Sequence, residues 1–363
     1  MNSSPKLIEF SEGRKNNFDF LRFLFACLVC FAHSHFLLKD KPFAGDWLEV
    51  ITHKQTNSGS LSVQAFFIIS GYLITASWTR SKGVWDYLKK RVLRIYPAFI
   101  VACLFCIFIV GPVLSINASQ YFHSIRWGHF LIDLLSLNKL QEIDSSVLVH
   151  GTQSVSQLNG SIWTIKIEFE CYLLIVLLGL TKLLKDRRIV LGLCCLFYFM
   201  TVLNLYPSVL AHVPKHDLIA HLSEHFSFGT SFLIGSLFFL YRESIPVSQN
   251  FAIATGVVLI VFTPLSQLAL VLQICVAYLI FFFAFDKYLK LQNWGEKRDL
   301  SYGIYLYAWP MKLIYIRFFG AWLNPYTLFM LALPSAIALA FLSWHFIEKP
   351  ALSLKTTRPS QAS

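Results

Sequence analysis

Charge is scarce in this sequence. Asp, Glu, Lys and Arg make up 14% of its 363 residues, against roughly 25% in soluble globular proteins. Apolar residues fill 56% of the chain, and the mean hydropathy is +0.57. A globule surrounded by water cannot cover its surface with so few charges, so composition points to a polytopic membrane protein. Polar, accessible thiols are lacking too. Cys27, Cys30, Cys103, Cys106, Cys171, Cys194, Cys195 and Cys275 all fall in apolar stretches. Two pairs read C-x-x-C, but metal and redox chemistry need accessible, activated thiols. These cysteines are read as small packing hydrophobes, and neither a metal nor a disulfide is expected. No internal repeat or low-complexity tract is visible. Residues 1–17 are polar and precede a full-length apolar segment that contains an arginine, so no cleavable leader is expected.

Ten apolar segments are present, at about 18–38, 61–78, 96–116, 162–180, 189–205, 226–241, 251–266, 268–285, 301–319 and 326–347. About 20 apolar residues suffice to cross a bilayer as a helix. The seventh and eighth segments are read as two helices, because residues 263–267 contain Pro264 and the joined run is too long for one crossing. With the N-terminus cytoplasmic, 21 Lys and Arg fall in inner segments and 6 in outer ones, the bias that sets topology. The net charge of +11 is thereby a topology signal, and no nucleic-acid partner is expected. The fold class is all-α: a membrane helix bundle of about ten transmembrane helices with both termini cytoplasmic. Residues 1–17 form a cytoplasmic segment, 18–354 the transmembrane domain and 355–363 a disordered cytoplasmic tail. The outer region 117–160, with Tyr121, His123, Trp127, His129 and His150, is long enough to fold over the outer mouth, and loops of that size are more often functional than idle.

Arg22 and His33 share the first segment. Ionisable groups inside a membrane are costly and by default functional. Eleven positions on a helix are about three turns plus roughly 20°, a rise of about 16 Å. One face therefore presents a cation near the inner surface, with Asp19 one turn before it, and an imidazole deep toward the outer one. Arg91 and Arg94, three apart, form a fork suited to phosphate; anchoring to acidic lipid headgroups is the competing reading. In the fourth segment, after Trp163, Glu168 reaches about the depth of His33 and could orient its imidazole. Glu170 points about 200° away from Glu168 and is paired with Lys166. Tyr302, Tyr305, Trp309 and Lys312 make a polar-aromatic stripe on the ninth segment. Tyr302 there suits an interfacial aromatic belt, and Pro310 frees a backbone carbonyl. Ser70-Gly71 is a small step in a bulky run, suited to close helix packing; a serine nucleophile is the weaker reading.

These residues fall in order along the chain in a pattern that resembles the acyltransferase 3 family of bacterial membrane O-acyltransferases. Asp19-Phe20-Leu21-Arg22 through His33 resembles the family's Arg-x10-His signature. Residues 65–73, with Phe66-Phe67-Ile68-Ile69-Ser70-Gly71, resemble its Phe-Phe-x-x-Ser-Gly segment. Arg91-x-x-Arg94 resembles its Arg-x-x-Arg motif, and Ser161-Ile162-Trp163 through Glu168 and Tyr172 its Ser-Leu-Trp…Glu…Tyr element. Residues 301–310 and 343–350 resemble two C-terminal elements. Lys166 stands where relatives often carry a small residue or proline, and Cys171 replaces an aromatic.

The resemblance implies transfer of an acyl group, usually acetyl from acetyl-CoA, to a hydroxyl of a surface saccharide such as O-antigen lipopolysaccharide or exopolysaccharide, at the bacterial inner membrane. The donor is acyl-CoA, and the acceptor is a saccharide, lipid-linked in one version. It implies essential roles for Arg22, His33, Arg91 and Arg94. On this reading the three arginines hold the CoA phosphates, His33 is the general base and Glu168 its carboxylate. Asp19, Ser70, Trp163, Tyr172, Tyr305, Trp309 and Lys312 line the substrate path. No fused hydrolase-like domain is visible in the sequence, so transfer is expected to need no second catalytic domain in this chain. Two other functions compete with this one. A transporter or flippase of a lipid-linked saccharide also suits ten spans with buried charge, but no half-chain symmetry is evident. A non-catalytic membrane scaffold leaves the polar stripe unexplained.

Overall fold

The computed structural model describes residues 6–11, 16–43, 45–140, 157–213, 216–286, 289, 291, 294 and 298–355. Each of the ten apolar segments forms a helix: α1 Phe18–Leu37, α2 Ser58–Arg80, α3 Val84–Phe105, α4 Trp163–Leu180, α5 Arg187–Asn204, α6 Ser223–Leu240, α7 Gln249–Phe262, α8 Leu268–Ala284, α9 Ser301–Phe319 and α10 Pro325–Ser343. Among the described residues there is no strand beyond one isolated bridge, Lys6 to Pro246. By length and apolarity five helical stretches are able to cross a membrane: Phe18–Leu37, Ser58–Arg80, Val84–Leu114, Arg187–Asn204 and Pro325–Ser353. α7 and α8 are apolar but shorter. α7 buries no residue at all, and Ile260 on it is 73% exposed. α7 packs against α8 and leaves apolar side chains exposed, as lipid contact requires.

The third helix begins 12 residues before the expected start at 96. It continues through a π-helical stretch, Cys106–Val110, into Gly111–Leu114. The turn between α7 and α8 lies where Pro264 was expected to place it, with Ser266 in the left-handed region. In the 117–160 region, residues Ala118–Ser124 and Trp127–Leu135 are short helices. Tyr121 is fully buried, and its hydroxyl donates to the Ile107 carbonyl at 2.9 Å. His150 and the tail beyond Lys355 lie outside the described residues.

The chain resolves into two compact units. The first comprises Met1–Phe25, Asp46–Ser81 and Ile167–Glu296. Its centre is the α2–α6 pair. A Cβ at Gly71 would meet the Phe232 carbonyl oxygen at 1.9 Å, and one at Gly235 would meet that of Ile68 at 1.9 Å. The two backbones touch, which only glycine permits at both points. Ser236 Oγ adds a hydrogen bond to the Gly71 carbonyl at 3.3 Å. The small step read at Ser70-Gly71 thus serves close helix packing. Asn17 closes the far end of α8, its Nδ2 donating to the Phe283 and Asp286 carbonyls at 2.9 and 3.0 Å.

The second unit comprises Ala26–Gly45, Lys82–Lys166 and Lys297–Ser363. In it α9 lies against α10, with Gly303 against Ala340. α10 opens on a capping box between Asn324 and Thr327, with Pro325 in the first turn, an arrangement that satisfies two otherwise orphaned donors. α10 runs on through a π-helical stretch, Trp344–Glu348, into Lys349–Ser353.

Candidate active site

In the second unit, the C-terminal half of α1 presents Cys30 and His33, and α9 presents Tyr305, Trp309 and Lys312. The His33 imidazole meets the Trp309 indole edge to face, with ring centroids 4.9 Å apart and planes at 82°, a favoured aromatic geometry. Lys312 is fully buried, and its Nζ lies 3.3 Å from Cys30 Sγ. The sequence offers no partner for this lysine; the structure supplies a thiol 282 positions away. The carbonyl freed by Pro310 belongs to Leu306, and Asn159 Nδ2 fills it at 2.9 Å. Asn159 Oδ1 in turn accepts from the Ser161 hydroxyl at 3.0 Å and the Ser161 amide at 3.2 Å. Tyr305 donates to the Ser161 carbonyl and so accepts from Thr164 Oγ1 at 2.6 Å. Gly160 lies directly against Trp309, where a Cβ would stand 2.5 Å from the ring. The segment before α4 is thereby shaped around α9. Nothing in the sequence pattern singles out Asn159.

A second cluster of the same unit is cationic. Arg94 is ion-paired to Asp299 and, at 3.3 Å, to Glu348. Its guanidinium also lies over the Tyr302 ring at 5.6 Å. Tyr302 donates to the Ile95 carbonyl at 3.0 Å, so it serves this cluster, where a lipid-facing belt was expected. Arg91 lies over Tyr87 at 5.7 Å, and Lys90 pairs with Asp86 at 2.7 Å. Lys355, which the sequence places at the head of a disordered tail, stands among these cations. Burial, with Arg91, Arg94 and Lys90 nearby, pushes its pKa from 10.5 down to about 7. The two carboxylates on Arg94 offset its charge.

In the first unit, Glu168 Oε1 accepts from the Tyr172 hydroxyl at 2.5 Å and from Ser70 Oγ at 3.0 Å. Two hydroxyls thus hold one carboxylate oxygen, and charge-assisted bonds of this kind are among the strong ones. Glu170 faces His225, with Oε2 and Nε2 3.3 Å apart; this corrects the pairing with Lys166. Asp19 and Arg22 are half-buried one turn apart near the start of α1. His33 lies eleven residues beyond Arg22 on the same unbroken helix, and Trp163 opens α4. Among the described residues, no group of three or more His, Cys, Asp and Glu is placed to hold a metal ion.

A family model described as an acyltransferase domain matches residues 15–345. Across 96% of the chain and 99% of the relative, the sequence is 26% identical to a protein of Shigella phage Sf6 named O-acetyl transferase. A Rhizobium leguminosarum bv. viciae protein named Nodulation protein 10 is also 26% identical, over 96% of each chain. No solved structure matches. The family match runs from before α1 to the π-helical stretch after α10 and so takes in every residue of the three clusters except Glu348 and Lys355: the chain belongs to the acyltransferase 3 family.

Proposed function

We propose that this membrane protein moves an acyl group, acetyl first among the candidates, from acyl-CoA to a hydroxyl of a cell-surface polysaccharide or of its lipid-linked precursor. The N- and C-termini face the cytoplasm of a bacterial inner membrane, as the Lys/Arg bias requires. Arg22, Arg91 and Arg94, joined by Lys355, meet the CoA phosphates. Arginine forks suit phosphate oxygens. Arg94 acts here with its fork fixed by Asp299 and Glu348.

His33 is the general base. Its imidazole nitrogen takes the proton of the acceptor hydroxyl as that oxygen attacks the thioester carbonyl. The C–S bond then breaks, the acyl group stays on the acceptor oxygen, and the proton passes to the departing CoA thiolate. Base assistance of this kind is worth about 10²–10⁴ in rate. Trp309 fixes the ring plane of His33, and Glu168, ordered by Ser70 and Tyr172, is the carboxylate of the reaction.

The observation that carries the reading is His33 set edge-on against Trp309, in a chain whose full-length relative is named an O-acetyl transferase. The test is reconstituted protein supplied with acetyl-CoA and a lipid-linked glycan, with the product read by mass spectrometry. The expected product is heavier by one acetyl group, and His33→Ala is expected to abolish it. A His33→Ala protein that inserts normally and keeps the wild-type rate would overturn the mechanism. Movement of glycan across the membrane without consumption of acyl-CoA would replace it with a transporter.

A further inference from the structure

The first unit contains a cavity of about 270 Å³ that belongs to none of the clusters above. It lies among the start of α2, the end of α5, the starts of α6 and α8, and the 49–57 segment. Of its thirteen lining residues only Leu205, Ala269 and Leu272 are aliphatic; the others are polar or charged. These side chains sit at helix ends and in the 49–57 segment, and Lys54, Ser60 and Leu205 are exposed.

Two of the lining residues carry a buried oxygen without a hydrogen-bond partner. Gln273 is 4% exposed, and its Nε2 donates to the Ser227 carbonyl at 2.9 Å and to Ser227 Oγ at 3.3 Å. Its Oε1 is buried and has no partner, and the same is true of Gln64 Oε1. Nearly all buried polar groups are hydrogen-bonded, so each exception calls for a missing donor. Both orphaned atoms are acceptors, and both belong to residues that line the cavity. The cavity wall carries one acid and one base, Glu49 and Lys54, and so offers no net charge to an anion. In size it matches about nine waters at roughly 30 Å³ each, room for a single sugar ring.

We propose that this cavity is a saccharide subsite that holds one neutral, hydroxyl-bearing sugar of the acceptor, other than the sugar being acylated. The proposal rests on the function proposed above and names its acceptor chemistry more closely. On the proposed orientation the cavity opens to the outer side, where a surface glycan arrives.

The test uses the full chain in nanodiscs of phosphatidylethanolamine and phosphatidylglycerol, labelled with a diazirine-bearing methyl hexoside and mapped by peptide mass spectrometry. Labelling is expected on residues 49–64 or 268–273, with competition by methyl hexosides and none by inorganic phosphate. Gln273→Leu removes the orphaned acceptor together with the Ser227 bonds. Ala269→Phe fills the cavity and leaves every hydrogen bond in place, so a loss of labelling there does not trace to misfolding. Both variants are expected to lower labelling at least tenfold. Labelling that falls elsewhere, is absent, or is unchanged in Ala269→Phe overturns the subsite and leaves a solvent-filled void. Failure of the proposed function is read separately: wild-type protein would then transfer no acetyl group, whatever the labelling shows.

Discussion

Asn159 Nδ2 donates to the Leu306 carbonyl at 2.9 Å, the oxygen that Pro310 leaves without its helical donor. The substitute donor comes from 147 positions away and ties the segment before α4 to the middle of α9. Removing it strands a buried acceptor, which costs about 1–3 kcal/mol. Asn159→Ala is therefore expected to lower the thermal midpoint of the purified protein. Pro310→Ala restores an N–H that can bond Leu306 directly, so the double variant should recover part of the loss. Recovery stays partial because Ser161 still lacks its Asn159 acceptor. Equal midpoints for Asn159→Ala and the double variant would contradict this account.

Gly160 carries a steric prediction. A Cβ there meets the Trp309 ring at 2.5 Å, closer than non-bonded atoms tolerate, so Gly160→Ala must displace the indole. The indole is what His33 rests against. Turnover is expected to fall about tenfold or more, since misplacement by about 1 Å can cost roughly 10²-fold, while the protein still inserts. Trp309→Phe in the Gly160→Ala background relieves the overlap and should restore part of the rate. Acetyl transfer measured for the two variants beside wild type checks the order.

The helices were legible because lipid imposes long apolar runs, and nine of the ten starts fall close to the first apolar residue. α3 is the exception. Lys89, Lys90, Arg91 and Arg94 mask its first turns in a hydropathy reading, yet charge does not break a helix, and Arg94 is neutralised by acids that come from Asp299 and Glu348. Contacts one turn apart lie within reach of helical spacing, as Tyr172 and Glu168 show. Contacts between distant segments could not. Ser70 reaches Glu168 across 98 positions, and Cys30 reaches Lys312 across 282. Glu170 shows the limit of local reasoning: Lys166 is the correct helical distance away, and His225 of another helix is the partner found.

Arg94 stands between two acids, and Glu348 is only 2% exposed. Breaking a buried pair by removing one partner costs about 3–5 kcal/mol, because the other charge is left uncompensated. Arg94→Met is expected to destabilise the protein by about that much. Adding Glu348→Gln removes one stranded charge and should return part of the stability. If Arg94 served phosphate alone, Arg94→Met would raise the KM for acyl-CoA and leave the melt unchanged. Thermal melts and donor titrations on the two variants separate these outcomes.

Lys355 gives the pH prediction. Its pKa is depressed from 10.5 to about 7 by burial and by Arg91, Arg94 and Lys90. Between these two values the unfolded chain binds more protons than the folded one, so stability rises with pH across that window. Below about 7 both states hold the proton, and the burden of a buried charge among cations is full. Donor binding runs the other way. At pH 6 the lysine is charged and adds to the attraction for CoA phosphates, and at pH 8 most of that charge is gone. The KM for acyl-CoA is expected to rise by up to roughly tenfold from pH 6 to pH 8, about 1.4 kcal/mol of lost interaction. Lys355→Gln should flatten the dependence and hold KM near the wild-type value at pH 8, while raising stability at pH 6. A Lys355→Gln protein with the wild-type pH profile would remove Lys355 from the donor site.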